Sequence, residues 1–273
     1  MAALVLPRPG ERAAVTGCGT SLYMAQAYAR LREDAAHGET DAFAASEFPD
    51  TRRYDRVVAI TRSGTTTEVV RLLDTLRHGD VPATTVSAVE DSPAVRAARA
   101  SVILEFADER SVVQTRFATS ALAILRSTLD DDVEPAAAGA EAVLAGDLPV
   151  ADPSALDHMV FLGHGWTVGI ANEAALKLRE TARVHTESYP AMEYRHGPVS
   201  LAGATSLVWI LDSPDPAVAA EVRATGATVL ERPAERDPLA ELVLIHRVAV
   251  ALAAARGLDP DHPRNLTRSV VLS

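Results

Sequence analysis

All but one of the 26 basic side chains in this 273-residue chain are arginines; the exception is Lys177. Wherever the chain needs only positive charge it uses arginine, so a lone flexible, titratable amine asks for its own explanation. It sits in Asn172-Glu-Ala-Ala-Leu-Lys-Leu-Arg-Glu180, where helical spacing puts Glu173, Lys177 and Glu180 on one face and turns Leu176 elsewhere, toward a core. The plain account of such a trio is a solvated ion pair worth a few tenths of a kcal/mol. The chemical account is a carboxylate base held beside an ammonium, able to move a proton at carbon while positive charge stabilises an oxyanion. His196, in Glu193-Tyr-Arg-His-Gly-Pro198, falls at the end of a short helix or on a loop and is a second proton-transfer candidate. Glu193-x-x-His196 occurs once, without the second copy that a carboxylate-bridged metal pair needs, so no metal and no cofactor are expected.

Two further segments offer hydrogen-bond donors. Gly17-Cys-Gly-Thr-Ser21 follows an apolar run and opens a helical one, so its amides and hydroxyls converge on the positive end of a helix. It is not the dinucleotide fingerprint, because Leu22 stands where the third glycine belongs, and Gly163-His-Gly165 fails likewise at Val168. Thr61-Arg-Ser-Gly-Thr-Thr-Thr67 crowds six hydroxyl or guanidinium groups around one glycine at a helix start. Hydroxyls there serve as ordinary caps, but this density favours phosphate binding, with Arg62 adding a bidentate grip.

The elements that must carry these residues alternate. Apolar runs at Ala13–Thr16, Val57–Thr61, Ala83–Val86 and Val102–Phe106 read as strands, and Ser21–Ala36, Thr66–Arg77 and Gln114–Leu129 as helices. Strands separated by helices imply right-handed crossovers and a parallel sheet. The second half restarts with a strand at Met159–Leu162 and a helix at Val168–Ala182, then strands at Ser206–Leu211 and Ala227–Leu230 and a long helix at Pro238–Ala255. Gly17-Cys-Gly19 matches Gly163-His-Gly165, and Ser46-Glu-Phe-Pro49 echoes Glu187-Ser-Tyr-Pro190, which suggests an internal duplication. Acidic Asp130–Asp132 and the Ala-rich stretch after Pro135 read as a linker between Leu129 and Pro153. The expected divisions are 1–145, 146–258 and a tail, 259–273.

Composition narrows the function classes. Hydrophobic residues make up 48% and charged residues 23%, a balance that fits a globular core, filled mainly by Ala, Val and Leu because aromatics are only 4%. The net charge of −11 and the lack of a basic stripe oppose nucleic-acid binding. No apolar stretch approaches about 20 residues and the N-terminus lacks signal-peptide character, so a cytoplasmic location without membrane contact is expected. Cys18, the one cysteine, excludes an internal disulfide and a multi-cysteine zinc site.

The ordered set Cys18-Gly-Thr-Ser21, Ser63-Gly-Thr-Thr66, Glu173-Ala-Ala-Leu-Lys-Leu-Arg-Glu180 and Glu193-Tyr-Arg-His-Gly-Pro198 resembles the tandem sugar isomerase (SIS) region of glucosamine-6-phosphate synthases. The terminal Pro263-Arg-Asn-Leu-Thr-Arg-Ser-Val270 looks like that family's active-site tail. The resemblance implies an α/β fold of two flavodoxin-like lobes, each a parallel sheet flanked by helices, and a phosphorylated sugar or amino sugar as substrate. It implies that Thr61, Ser63 and Thr66 bind phosphate, that Cys18, Gly19, Thr20 and Ser21 contact phosphate and sugar, and that Val112 and Gln114 line the pocket. Glu180 would be the base, and His196 would open the sugar ring from the neighbouring subunit of a homodimer with shared sites. Cys18 is read as a small packed residue rather than a nucleophile.

Three departures shape the expected activity. The sequence shows no glutaminase domain and no N-terminal cysteine nucleophile, so glutamine is not expected to be its own nitrogen donor. Arg62 replaces the family's usual glutamine, and Arg268 stands at the tail lysine of the synthases, where a guanidinium cannot form an imine. The leading reading is a phosphosugar isomerase working through an enediol. The alternatives are an amino-sugar phosphate deaminase or deglycase and a sugar-phosphate-binding regulator without turnover. No helix-turn-helix extension fits in a chain whose two lobes use its length, and the Glu180, Lys177 and His196 set exceeds what binding alone requires.

Overall fold

The computed structural model describes residues 5–150 and 157–272. The chain divides into two compact units, Met1–Asp132 with Thr267–Ser273, and Val133–Leu266.

The first unit runs β1 (Ala13–Gly17), α1 (Thr20–Asp34), β2 (Thr40–Ala44), β3 (Arg56–Ile60), α2 (Thr67–Arg77), β4 (Ala83–Ser87), α3 (Pro93–Ala97), β5 (Ala100–Ile103) and α4 (Arg116–Arg126). Its sheet is wholly parallel with order β2-β1-β3-β4-β5, the flavodoxin-like order. Every residue of β1 and β4 is buried, as strands covered on both faces require, and the hydroxyls of Thr84, Thr85 and Ser87 in β4 bond to main-chain carbonyls. Val57, Ala59, Val69, Leu73 and Ala94 join one cluster, so α2 and α3 pack onto the sheet through the apolar face that the period of 3.6 gives α2.

The second unit runs α5 (Glu134–Ala145), β6 (His158–Gly163), α6 (Thr167–Ala182), β7 (His185–Pro190), β8 (Ser206–Ile210), α7 (Ala217–Ala224), β9 (Thr228–Glu231) and α8 (Pro238–Ala255). Its parallel sheet, β7-β6-β8-β9, repeats the first four places of the first sheet. Helix α8 starts at an Asp237 cap whose side chain accepts the Leu239 amide at 2.7 Å. Its mean hydropathy of 1.7 over 18 residues is that of a membrane span by composition, a feature the sequence reading passed over. Most of it is buried, with Leu242, Ile245, Val248, Ala249 and Leu252 fully enclosed, so it is the core helix of this unit.

The repeat has a definite register. Gly17 and Gly163 end β1 and β6, and a Cβ on either would strike the start of the following helix, 2.7 Å from Ser21 or 2.4 Å from the Thr167 carbonyl. Gly17 pairs with Ala44 and Gly163 with Pro190, so the shift of 146 residues that carries one glycine to the other also carries the neighbouring strand. That shift aligns Ala45-Ser-Glu-Phe48 with Ala191-Met-Glu-Tyr194, and the echo between Ser46–Pro49 and Glu187–Pro190 is out of register by five residues.

Other expectations are corrected. The Ala-rich stretch read as linker is helix α5, begun by a proline in its first turn and held in the second unit, where Arg247 of α8 donates to the carbonyls of Val143 and Gly146. The expected first division at 145 therefore lies after a helix of the second unit. The far end of the expected linker, Pro153, lies outside the described residues. The strand expected at Val102–Phe106 begins earlier, at Ala100, and Glu105–Ala107 is a 3₁₀ turn.

Candidate active site

In the first unit, β1 and β3 are neighbours whose helices leave the sheet as the strand order reverses, and ligands of such folds settle outside the carboxyl ends of these two strands. Cys18–Ser21 follows β1 and Thr61–Thr66 follows β3, so the two donor-rich segments meet at this crevice. Gly19, at φ 55°, is the residue before α1 and is exposed, while Thr20 and Ser21 are buried in the first turn of that helix. Cys18 is half-buried, and burial pushes its thiol up, away from the reactive thiolate. Gly64, at φ 64°, is required, since a Cβ there would come within 2.0 Å of Ser92 Oγ.

The structure divides the loop's hydroxyls into two groups. Thr65 Oγ1 lies 2.7 Å from Ser269 Oγ, the Thr67 amide donates to the Val270 carbonyl at 3.1 Å, and Thr67 Oγ1 accepts the Leu272 amide at 2.8 Å. These threonines hold the C-terminal segment. Thr61 and Ser63 are buried at the strand end, and Thr66 precedes α2 without a side-chain cap bond. Arg62 differs from expectation. Its guanidinium is 1% exposed and donates to the carbonyls of Ser111 (2.8 Å), Val112 (2.9 Å) and Arg268 (3.3 Å). The bidentate grip is turned onto the protein's own backbone, because a buried guanidinium takes whatever acceptors surround it. Arg268 likewise pairs with Asp108 and donates to the Glu109 carbonyl, so it anchors the tail where a substrate contact was expected. Val112 is thereby fixed beside the loop, and Gln114 carries a buried amide oxygen without a hydrogen-bond partner.

In the second unit the equivalent segments carry Trp166 and Thr167 after β6 and Asp212, Ser213, Pro214 and Asp215 after β8, and their hydroxyls bond to the local backbone.

The second unit contributes the ion set instead. Lys177 and Glu173 are completely buried and Glu180 is 22% exposed; Lys177 Nζ lies 3.2 Å from Glu173 Oε1 and 3.0 Å from Glu180 Oε2. This is not the solvated trio that spacing alone suggests, and the polarity is inverted, for Leu176 is the partly exposed residue and Lys177 the buried one. Burial alone would strip the ammonium's proton, but the charges of Glu173 and Glu180 and their hydrogen bonds outweigh it, and the Lys177 pKa is raised. Lys177 is therefore a permanent cation at neutral pH. Glu180 gives Lys177 one carboxylate oxygen, Oε2, and is the partly exposed member of the set. His246 of α8 stands 3.8 Å from Glu173 on the far side of the ion set.

Glu180 lines a cleft of about 180 Å³ with Thr181, Arg183, Gly257–Asp259 and His262–Arg264. The sequence reading missed His262, whose Nδ1 lies 2.9 Å from Asp259 Oδ2 and whose pKa is raised by that hydrogen bond and by the carboxylate charge. The only signal was the Asp259-x-x-His262 spacing in a polar tail.

His196 is exposed at the end of the 3₁₀ turn Glu193–His196 beyond β7. Glu180 lies at the other end of that strand. Thr186 near the start of β7 donates through Oγ1 to the Ala175 carbonyl at 2.7 Å, and Arg179 donates to the Thr186 carbonyl at 2.9 Å, so the end of α6 is level with the start of β7. The four residues from Thr186 to Pro190 add about 13 Å of strand between the two levels, several times the roughly 3 Å reach of a proton transfer. Within one chain the sheet separates Glu180 from His196.

No family model matches the chain. It is 26% identical, over 296 aligned positions and 96% of its length, to the isomerizing glutamine–fructose-6-phosphate aminotransferase of Sulfurisphaera tokodaii, of which it covers 50%. The chain spans about half the length of the curated relatives it matches. The match to these enzymes extends over nearly the whole of this chain. Its fold is that of the crystal structure of glucosamine-6-phosphate deaminase from Thermotoga maritima, with a TM-score of 0.83, 24% identity and 99% and 93% of the two chains covered. Tagatose-6-phosphate ketose/aldose isomerase from Escherichia coli matches with a TM-score of 0.76, 19% identity and 96% and 89% covered.

Proposed function

We propose that this chain is a phosphosugar isomerase that moves a proton between adjacent carbons of a phosphorylated ketose or amino sugar through an enediol. The observation that carries the reading is the buried Lys177, charged and clamped by Glu173, holding one oxygen of the partly exposed Glu180 at 3.0 Å. Burying the ionised pair Lys177 and Glu173 is costly, and a merely structural helix face needs neither.

In this reading the phosphate sits at the crevice of the first unit, on Thr61, Ser63 and Thr66 and on the start of α1 at Cys18–Ser21. The unpartnered amide oxygen of Gln114 takes a sugar hydroxyl beside Val112. Glu180 removes the proton from the carbon next to the carbonyl and returns it to the neighbouring carbon. The Lys177 ammonium keeps the carboxylate oriented and offsets negative charge that develops on the enediolate oxygens. His196 protonates the ring oxygen during opening. Because about 13 Å of strand separates it from its own Glu180, it serves the site of a second copy, which makes a homodimer the functional form.

A second reading rests on His262. Its Asp259-supported imidazole shares the Glu180 cleft and is a proton donor suited to a leaving amine, which favours an amino-sugar phosphate deaminase or deglycase. One experiment separates the readings. The wild-type chain is incubated in heavy water with fructose-6-phosphate and, in parallel, with glucosamine-6-phosphate, following carbon-bound deuterium and ammonia. Isomerisation gives deuterium at the migrating carbon without ammonia, and deamination releases ammonia. In Glu180→Gln both stop while the melting temperature is unchanged. Exchange that continues at the wild-type rate in that variant refutes Glu180 as the base, and binding without exchange in the wild type indicates a regulator.

A further inference from the structure

Strands β6 and β7 begin with histidines that pair across the sheet, His158 with His185, and the next residue of β7 on the same face is Glu187. One ligand atom from each, a ring nitrogen of either histidine and a carboxylate oxygen, lies within 4.8 Å of the others. His158 Nε2 is 2.9 Å from Glu187 Oε2, and the two rings stack with centroids 5.6 Å apart at 29°. Thr186, between them in sequence, points to α6, so the cluster occupies the opposite face of the sheet from Lys177. Neither the SIS resemblance nor the proposed chemistry uses any of the three.

We propose that His158, His185 and Glu187 bind a divalent transition-metal ion, with zinc the best match, at the edge of the second sheet. Two imidazoles and one carboxylate form a ligand set that zinc accepts, with water in the fourth position. Donors in a tetrahedral zinc shell lie about 3.4 Å apart, given bond lengths of roughly 2.0–2.2 Å. His158 and Glu187 are already closer than that, and His185 is exposed on an edge strand where its ring can turn through the remaining ångström or so.

The surrounding groups are those that orient metal ligands. His158 Nδ1 lies 3.1 Å from Ser206 Oγ, which also accepts the Gly203 amide at 3.2 Å. A serine hydroxyl serves either tautomer, so Nδ1 can hold the proton while Nε2 faces the ion. Tyr189 donates its hydroxyl to Glu187 Oε1 at 3.0 Å and leaves Oε2 for the metal. When the ion takes Nε2, the one proton of the neutral ring is carried on Nδ1, where Ser206 Oγ accepts it. A bound ion would add a third side-chain link between β6 and edge strand β7, beside the backbone pairing, the His158–Glu187 bond and the stacked rings.

The test uses the untagged full chain after dialysis against a chelator, titrated with zinc chloride by calorimetry and with cobalt(II) by visible absorption. One ion per chain is expected, with a cobalt spectrum of low-coordinate nitrogen and oxygen ligation. The melting temperature should rise by roughly 5–10 °C at a hundredfold excess of zinc over its Kd. His185→Ala alters an exposed group and Glu187→Gln is isosteric, so both should keep the fold by circular dichroism, and each should weaken binding at least tenfold. Ser206→Ala should weaken it by about tenfold through the lost orienting bond, and His78→Ala, an exposed histidine of the other unit, should not change it. Absence of stoichiometric zinc and of a cobalt spectrum, or equal affinity in His185→Ala and Glu187→Gln, overturns the site.

Discussion

Replacing Lys177 by Met keeps most of the side-chain volume and removes the charge that allows Glu173 to be completely buried. A buried carboxylate without a counter-charge takes up a proton instead of remaining ionised. The folded variant then binds one more proton than its unfolded chain, in which a glutamate with a pKa near 4.3 is ionised above about pH 5. Stability therefore falls as pH rises, by about 1.36 kcal/mol per unit, or about 2.7 kcal/mol between pH 5 and pH 7. The wild type carries no such slope from this pair, because Lys177 is protonated in both states over that range. The total loss at pH 7 should be about 3–5 kcal/mol, as for other broken buried pairs. Urea denaturation of both proteins at the two pH values measures it, and Lys177→Met with Glu173→Gln should recover most of the stability and abolish the slope. A loss that does not change with pH, or a double variant no more stable than the single one, refutes the reading of Lys177 as the counter-ion of a buried carboxylate. Turnover should vanish in both variants, since Glu180 loses its orienting partner.

The tail clasp gives a second outcome: Arg62→Ala deprives the Ser111 and Val112 carbonyls of donors, costs about 2–4 kcal/mol by denaturation, and makes the segment after Leu266 sensitive to protease. Ser63→Ala should weaken sugar-phosphate binding by about 1–3 kcal/mol with no effect on the unphosphorylated sugar, read by calorimetry. Glu11, clasped by Arg56 at 3.0 and 3.2 Å and by the Arg8 amide, has its pKa lowered, first by the Arg56 hydrogen bond. Its stabilisation is therefore present above the unfolded pKa near about 4.3 and lost as pH falls through the folded value, so the stability gap between wild type and Glu11→Gln should close on acidification from pH 6 to 3. Mixing Glu180→Gln with His196→Ala under subunit exchange should restore roughly a quarter of wild-type turnover; exchange without recovery argues for a site within one chain.

Much of the fold could be read from local pattern. Buried strands of parallel sheets are continuous apolar runs, so Ala13–Gly17, Arg56–Ile60, Ala83–Ser87 and Ser206–Ile210 stood out, and the helices between them followed from their spacing. The edge strands β2 and β7 did not stand out, because an edge keeps polar residues such as Asp41, His185 and Glu187 against unwanted pairing. Helix α5 was hidden by its composition, since an Ala-rich segment without a strong stripe reads equally as linker and becomes a helix when α8 packs on it. The false register of the repeat had a similar source, because short echoes fix a repeat only once strand pairing supplies the offset.

The sequence by itself determined the alternation of strands and helices, the two donor-rich turns and the grouping of Glu173, Lys177 and Glu180, because these depend on backbone periodicity and on residues a few positions apart. Tertiary structure alone decided what each charged group does. The same helical spacing serves a solvated ion pair or a buried one, and only packing by α8 and β7 encloses Lys177 and leaves Glu180 partly exposed. Arg62 and Arg268, donors on paper, are spent on carbonyls and on Asp108, which lie about 50 and 160 positions away in sequence. Long arginine side chains find partners through the fold, and burial sets the energy of a charge, so neither can be read from spacing along the chain.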